Sequence, residues 1–181
     1  PHFAHKTVLE CNGETYLHRL GKRAFFDTYQ KCLAENEPFY ISFHVPKKCE
    51  KFKRTIRKHC DLGYVEKRFD LTSYFSQIQV EKRHDQFIPD LLLTRQNNVE
   101  DSIYIEIAVT HFIDEKKINI IKQMDVKTVE IDLSSLIKNT DITIPSNEAK
   151  LFILENLENK IWKYPALPVS ITGKDLIIDI E

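Results

Sequence analysis

The sequence predicts an α/β protein in which helices flank a mixed central sheet. Apolar residues recur three and four positions apart in some segments, which is typical of helices. Other short segments alternate and are rich in β-branched and aromatic residues, which is typical of strands. The predicted order is helix, strands, helix, strand, helix, and this order favours one mixed sheet covered by helices.

The first helix is predicted to begin near Gly13 and to end near Ala34. Apolar residues follow the helical period from Leu17 onward, and Asn12 is a suitable N-cap. The alternating segment 38–45 that follows predicts a short strand.

The rest of the chain contains further predicted strands and helices. Asp114 is the expected N-cap of the middle helix. Strands are predicted at residues 77–82, 86–94, 102–109 and 128–133, helices at residues 115–124 and 147–162, and an edge strand at residues 176–180.

The domain organisation follows from the length. The chain has 181 residues, which is enough for one core and too short for two ordinary domains. We therefore expect a single domain over residues 1–181, with a basic insertion around residues 44–68 and a C-terminal helix and tail at residues 147–181.

Composition excludes several classes of protein. Hydrophobic residues make up 42% and charged residues 29% of the chain, which predicts a soluble globular protein. The formal net charge of -1 argues against a highly basic DNA-coating protein, although a local basic patch is compatible with it. No apolar run approaches the roughly 18 residues that a membrane span needs. With four glycines and neither G-x-G-x-x-G nor G-x-x-x-x-G-K, most mononucleotide and dinucleotide enzymes are also disfavoured.

The cysteines predict reduced thiols in a cytoplasmic protein. No C-x-x-C pair occurs, and the first residues lack the apolar core of a secretory signal. Cys49 and Cys60 lie near His44 and His59, but their spacing lacks the close ligand pairs of a zinc site. Free thiols are therefore the preferred interpretation, with structural zinc as the alternative.

Two acidic residues stand in apolar surroundings. Asp90 precedes three leucines, and Glu106 lies within a run of isoleucines. A buried carboxylate is normally paired, protonated or bound to a metal, and a hard ion such as Mg²⁺ suits oxygen ligands. If the two strands form a hairpin, the two acids lie close together. The alternative, that Glu106 points to solvent on a half-exposed strand, is equally compatible with the alternation.

A third acid begins the first helix. Glu14, His18 and Lys22 are spaced four residues apart, so they line one helical stripe. Such a stripe is by default a solvated face. If it faces the two strand acids, it forms one wall of a metal site.

These residues carry a resemblance to a known family. An acid in the opening helix, then Pro89-Asp90, then an acid in the next strand resembles the PD-(D/E)XK, or restriction-endonuclease-like, nuclease superfamily. The sequence is more similar still to competence protein CoiA-like nuclease domains. The segments that carry the resemblance are His2-Phe3-Ala4-His5 and residues 14–22, 87–93, 105–111 and 127–134.

The resemblance implies an α-β-β-β-α-β core and metal-dependent cleavage of DNA, in DNA processing or in defence against foreign DNA. It implies Mg²⁺ or Mn²⁺ as the cofactor, with Asp90 and Glu106 as metal ligands. Glu14 would be an accessory ligand through water. DNA would be the partner, with further domains or a second copy of the chain as other candidates and no membrane association.

One position departs from the family pattern. The superfamily has a lysine two residues after the strand acid, where this chain has Ala108. Lys116, Lys117 or Lys22 are candidates to replace it from a helix, and His111 or Gln79 to substitute in part. The catalytic set that we predict is Asp90, Glu106, Glu14, Lys116 and His111.

A basic run is the candidate DNA-binding surface. Charge runs are usually solvated faces, but beside a nuclease site this one would track a phosphate backbone. The run consists of Lys47, Lys48, Lys51, Lys53, Arg54, Arg57 and Lys58.

Two other functions stay open. One is a nuclease-like fold with a weakened site that binds nucleic acid or organises a larger assembly. The other is a protein-interaction domain in which both acids are structural.

Overall fold

The computed structural model describes residues 13–46, 64–96, 98–137 and 146–164. Over these residues the fold is mixed α/β, with three α-helices and seven strands. In chain order they are α1 (Gly13–Glu35), β1 (Tyr40–Pro46), β2 (Tyr64–Asp70), β3 (Gln77–Val80), β4 (Leu91–Arg95), β5 (Asn98–Ala108), α2 (Glu115–Met124), β6 (Lys127–Asp132), α3 (Ser146–Glu155) and β7 (Lys160–Tyr164).

Five strands form a mixed sheet in the order β3-β4-β5-β6-β7. Neighbouring strands are antiparallel except β5 and β6, which are parallel. A parallel pair needs a crossover connection, and α2 supplies it. Strands β1 and β2 pair separately as an antiparallel two-stranded sheet.

Helix α1 packs against the central sheet and α3. Its buried side chains include Phe25 and Tyr29, which join the main core. The helix approaches the sheet closely at Gly21, because a Cβ there would overlap Leu133 and would lie 2.8 Å from Ile107 Cγ2. This approach brings the α1 face that carries His18 to the ends of β4 and β5.

The extents of α1 and α2 agree with the sequence predictions. The N-cap of α2 is Asp114, whose Oδ1 accepts a hydrogen bond from Lys117 N at 2.7 Å. The prediction that residues 86–94 form one strand was too long, since β4 begins at Leu91. Pro89 has no backbone N–H to donate to a ladder, which explains the later start.

The prediction of one helix over residues 147–162 was wrong. Helix α3 ends at Glu155, and Trp162 lies in β7. Asn156 Oδ1 accepts hydrogen bonds from the backbone N–H groups of Glu158 and Asn159 at 3.0 and 3.3 Å, forming a turn that competes with continued helix.

The predicted basic insertion around residues 44–68 is partly a strand, because its last residues form the start of β2 and pair with β1. The predicted edge strand at residues 176–180 lies outside the described residues. In the described part of the chain, none of the helices combines the length and apolar character needed to cross a membrane.

Candidate functional site

Asp90 lies where α1, β4 and β5 meet. The antiparallel register pairs Leu91 with Ile105, and this register places Asp90 opposite Glu106. Asp90 Oδ2 accepts hydrogen bonds from His18 Nε2 at 3.0 Å and from Ile107 N at 2.9 Å.

The environment of Asp90 favours its charged form. Burial opposes ionisation, but the hydrogen bonds from His18 and the Ile107 amide outweigh it and hold the pKa of Asp90 below its usual value. Lys22 Nζ adds a positive charge 3.5 Å from Asp90 Oδ1 and also contacts Glu81 Oε1 at 2.5 Å. Asp90 is therefore an ionised carboxylate that three groups orient.

The environment of Glu106 favours its protonated form, unlike that of Asp90. Its side chain is only 4% exposed, and burial together with the nearby charge of Asp90 raises its pKa to about 7, although Lys117 opposes the rise. Glu106 Oε2 accepts a hydrogen bond from Lys117 Nζ at 2.7 Å. Among the described residues, its buried Oε1 has no hydrogen-bond partner.

Lys117 supplies the amine that contacts Glu106. It lies in the first turn of α2, is 35% exposed, and places Nζ 5.2 Å from the centroid of the Phe87 ring. Lys116 was the predicted residue, but it is exposed and does not line the cleft that contains Glu106. Successive helix residues point about 100° apart, so only one of two neighbouring lysines reaches Glu106.

Ala108 occupies the position where the family pattern has a lysine. It is buried and pairs with Asp132 of β6. The first turn of α2, rather than β5, therefore provides the cation beside Glu106.

Sequence reasoning missed one buried acid, Glu130. The parallel register places Glu130 beside Glu106, and its side chain is 1% exposed. Its Oε1 accepts a hydrogen bond from Ile113 N at 2.6 Å, and its Oε2 forms an ion pair with Lys163 Nζ at 2.5 Å. Glu130, like Glu106, is a single Glu between apolar residues of a predicted strand, and this pattern could have identified it.

These side chains line a cleft of about 370 Å³. Four carboxylates face it, and His18, His111 and Lys117 also contribute to its lining. The four carboxylates belong to Asp90, Glu106, Asp114 and Glu130.

The other predicted site residues have varied positions. His111 is exposed on the rim of the cleft, with Nδ1 3.1 Å from Thr110 Oγ1. Gln79 lies on β3 and lines a separate groove between β3 and α1. Glu14 is in the first turn of α1, but its side chain lies outside the described residues, as does the whole basic run at residues 47–58.

The ligand atoms in the cleft indicate which metal ion could bind there. Asp90 and Glu106 offer only oxygen ligands, and Glu106 Oε1 is an acceptor without a hydrogen-bond partner in the described structure. This chemistry suits Mg²⁺ or Mn²⁺. The described residues contain no group of three His, Cys, Asp or Glu side chains placed to hold a metal, and the third predicted ligand, Glu14, is outside that set.

No protein-family model, curated protein or solved structure matches the chain.

Proposed function

We propose that the protein is a metal-dependent nuclease with a restriction-endonuclease-like fold that cleaves DNA phosphodiester bonds. Apart from β1 and β2, which pair with each other between α1 and β3, the chain order is α1-β3-β4-β5-α2-β6. This order supports the fold, because it agrees with the α-β-β-β-α-β order that the sequence resemblance implies. Strand β7 then extends the sheet beyond β6.

The observation that carries the proposal is the pair of facing carboxylates. Asp90 directly precedes β4, and the Leu91–Ile105 register continued by one residue places it opposite Glu106 of β5. Burial and the nearby charge of Asp90 raise the pKa of Glu106. Burying a carboxylate oxygen without a partner is costly, and a cation between the two acids would remove both the desolvation cost and the repulsion. When bound, a divalent cation supplies Lewis-acid stabilisation of the phosphate and lowers the pKa of an attacking water.

The chain's own residues would set the geometry of the reaction. His18 and the Ile107 amide orient Asp90, so its second oxygen keeps a defined direction. Lys117 neutralises Glu106 and presents an amine at the cleft, where it would offset negative charge that develops on the phosphate. In this proposal Lys117 performs the role of the lysine that Ala108 replaces.

The direct test is cleavage of single-stranded and duplex DNA in Mg²⁺ and in a chelator. We expect Mg²⁺-dependent cleavage by the wild type, and a loss of about 100-fold or more in Asp90→Asn and Glu106→Gln, since both carboxylates act at the reacting centre. Asp85→Asn is the matched control, because Asp85 is an exposed acid that does not line the cleft. Unchanged nicking in both site variants would refute the assignment.

A second function is favoured by the ion pairs in the cleft. Within the described structure, Asp90, Glu106 and Glu130 each contact a lysine amine of the chain itself, from Lys22, Lys117 and Lys163 respectively. Such a site holds together without a metal and suits a module that binds nucleic acid without cutting it. DNA binding that is equal in Mg²⁺ and in chelator, with no cleavage, would establish this second function and exclude the first.

A further inference from the structure

We propose that Phe112 is a stacking platform for an unpaired nucleobase, so that the cleft takes single-stranded nucleic acid rather than an intact duplex. This inference rests on the proposed nuclease function and defines its substrate class.

Phe112 is exposed where the cleft opens. Its relative exposure is 47%, and it is one of nine large hydrophobic residues that are exposed in the described structure. Of these nine, it is the one that lines the cleft. Single exposed apolar side chains are common on protein surfaces, but an aromatic ring beside four carboxylates provides an apolar surface within a polar site.

The segment that carries Phe112 is tied down on its C-terminal side. The next residue, Ile113, donates its backbone N–H to the buried Glu130, and Asp114 then caps α2. Lys163 Nζ lies 5.7 Å from the Phe112 ring centroid and is itself held by Glu130. A ring whose backbone is already fixed loses little conformational entropy on binding, which is what a stacking platform requires.

The charges around the cleft favour a neutral group at Phe112. Asp114 and Glu130 line the same cleft as the ring. Lys163, the cation beside the ring, is already paired with Glu130, so a phosphate placed here would meet carboxylate charge. A nucleobase is uncharged and has a flat π-face, so it matches the Phe112 ring. The phosphate of the same nucleotide would then lie towards Lys117, the lysine that lines the cleft.

The size of the cleft favours a single nucleotide. A volume of about 370 Å³ is at the small end of the range for small-ligand sites. A base inside a duplex is already stacked on both faces and has no face to offer Phe112. Only an unpaired base, in a single strand or at a frayed end, can therefore stack on the Phe112 ring.

The test is binding of a single-stranded DNA of about twelve nucleotides that carries 2-aminopurine, measured in chelator so that cleavage cannot occur. Stacking quenches 2-aminopurine fluorescence. We expect quenching by the wild type, a loss of about 10-fold in affinity and of the quenching in Phe112→Ala, and retention of both in Phe112→Trp. Tyr40→Ala, which removes an exposed aromatic ring on β1 outside the cleft, should behave as the wild type.

The same oligonucleotide in a duplex is the comparison. Phe112→Ala should leave duplex binding within a factor of about two, because the stacking contribution applies only to an unpaired base. Equal losses for both forms, no loss for the single strand, or no binding by the wild type would each overturn the proposal.

The two proposals fail separately. If Phe112-dependent quenching is present but no Mg²⁺-dependent cleavage occurs, the stacking site stands and the nuclease function falls. If cleavage occurs and Phe112→Ala cuts single strands as fast as the wild type with unchanged affinity, the nuclease function stands and the stacking site falls.

Discussion

Asp90 and Glu106 are neighbouring buried acids whose ionisation the fold changes in opposite directions. Asp90 receives hydrogen bonds from His18 and Ile107 N, and its pKa is lowered. Glu106 Oε2 accepts a hydrogen bond from Lys117, its buried Oε1 has no hydrogen-bond partner in the described structure, and burial raises its pKa to about 7. The two residues should therefore affect stability with opposite dependence on pH.

The stability that Glu106 contributes should decrease as pH rises. The unfolded chain releases the proton near pH 4.5, whereas the folded protein keeps it to about pH 7. The free energy of unfolding should fall as pH rises through this window, by about 3 kcal/mol in total. Glu106→Gln should remove this dependence, so its stability relative to the wild type should increase between pH 4 and pH 8 in urea unfolding.

Asp90→Asn is the matched comparison for that prediction. Because the folded-state pKa of Asp90 is lowered, its carboxylate contributes stability at neutral pH that is lost as pH falls through the folded pKa. This variant should be less stable than the wild type at pH 8. A parallel stability–pH curve for Glu106→Gln and the wild type would contradict the assigned protonation of Glu106.

Lys117 and Lys116 form a natural pair of variants. Lys117→Met should reduce the rate of cleavage by about 100-fold, since the amine at Glu106 is lost, whereas Lys116→Met should change it by less than a factor of about two. Lys117 also lowers the pKa of Glu106, so its loss should move the acid limb of the pH–rate profile to higher pH. Equal rates in the two variants would exclude Lys117 from the reaction.

At the scale of elements, α1 determines the position of the groups that orient Asp90. His18 and Lys22 flank Gly21, where the helix lies close to Leu133 and Ile107. A side chain at this position would force the helix away from the sheet. The close approach, rather than the conformational freedom of glycine, explains why this helical position has no Cβ.

Gly21→Ala tests this packing. Alanine favours a helix over glycine by about 1 kcal/mol, so an exposed site would gain stability. Overpacking against Leu133 and Ile107 should outweigh this gain and destabilise the protein by about 1–3 kcal/mol in urea unfolding. Lys31→Ala, at an exposed position of α1, should change stability by less than about 0.5 kcal/mol. A more stable Gly21→Ala protein would show that α1 has room to shift.

At the scale of the whole molecule, a net charge of -1 combines two different charge distributions. Acidic side chains converge on the cleft, whereas a basic run at residues 47–58 lies outside the described residues. If this run contacts the phosphate backbone, the affinity for DNA should fall with salt concentration, and more steeply the more phosphates the run contacts. The residues of the cleft would then carry out the cleavage.

The salt dependence of DNA affinity tests the basic run. Replacing three of its cations by Gln should reduce the slope of log affinity against log salt by about two to three. An equal number of replacements on exposed cations elsewhere should leave the slope unchanged, and an unchanged slope in both would remove the run from the binding surface. The test set is Lys51, Lys53 and Arg54, and the control set is Lys31, Arg68 and Lys122.

The amino-acid sequence by itself determined the mixed α/β class, the extents of α1 and α2, and the expectation that Asp90 and Glu106 meet. These depend on local periodicity, on an N-cap and on the register of neighbouring strands. Only the tertiary structure decided that Lys117 rather than Lys116 reaches Glu106, that Glu130 lies beside it, and that residues 160–164 pair with β6. These depend on contacts between segments distant in sequence, which the pattern of any one segment does not contain.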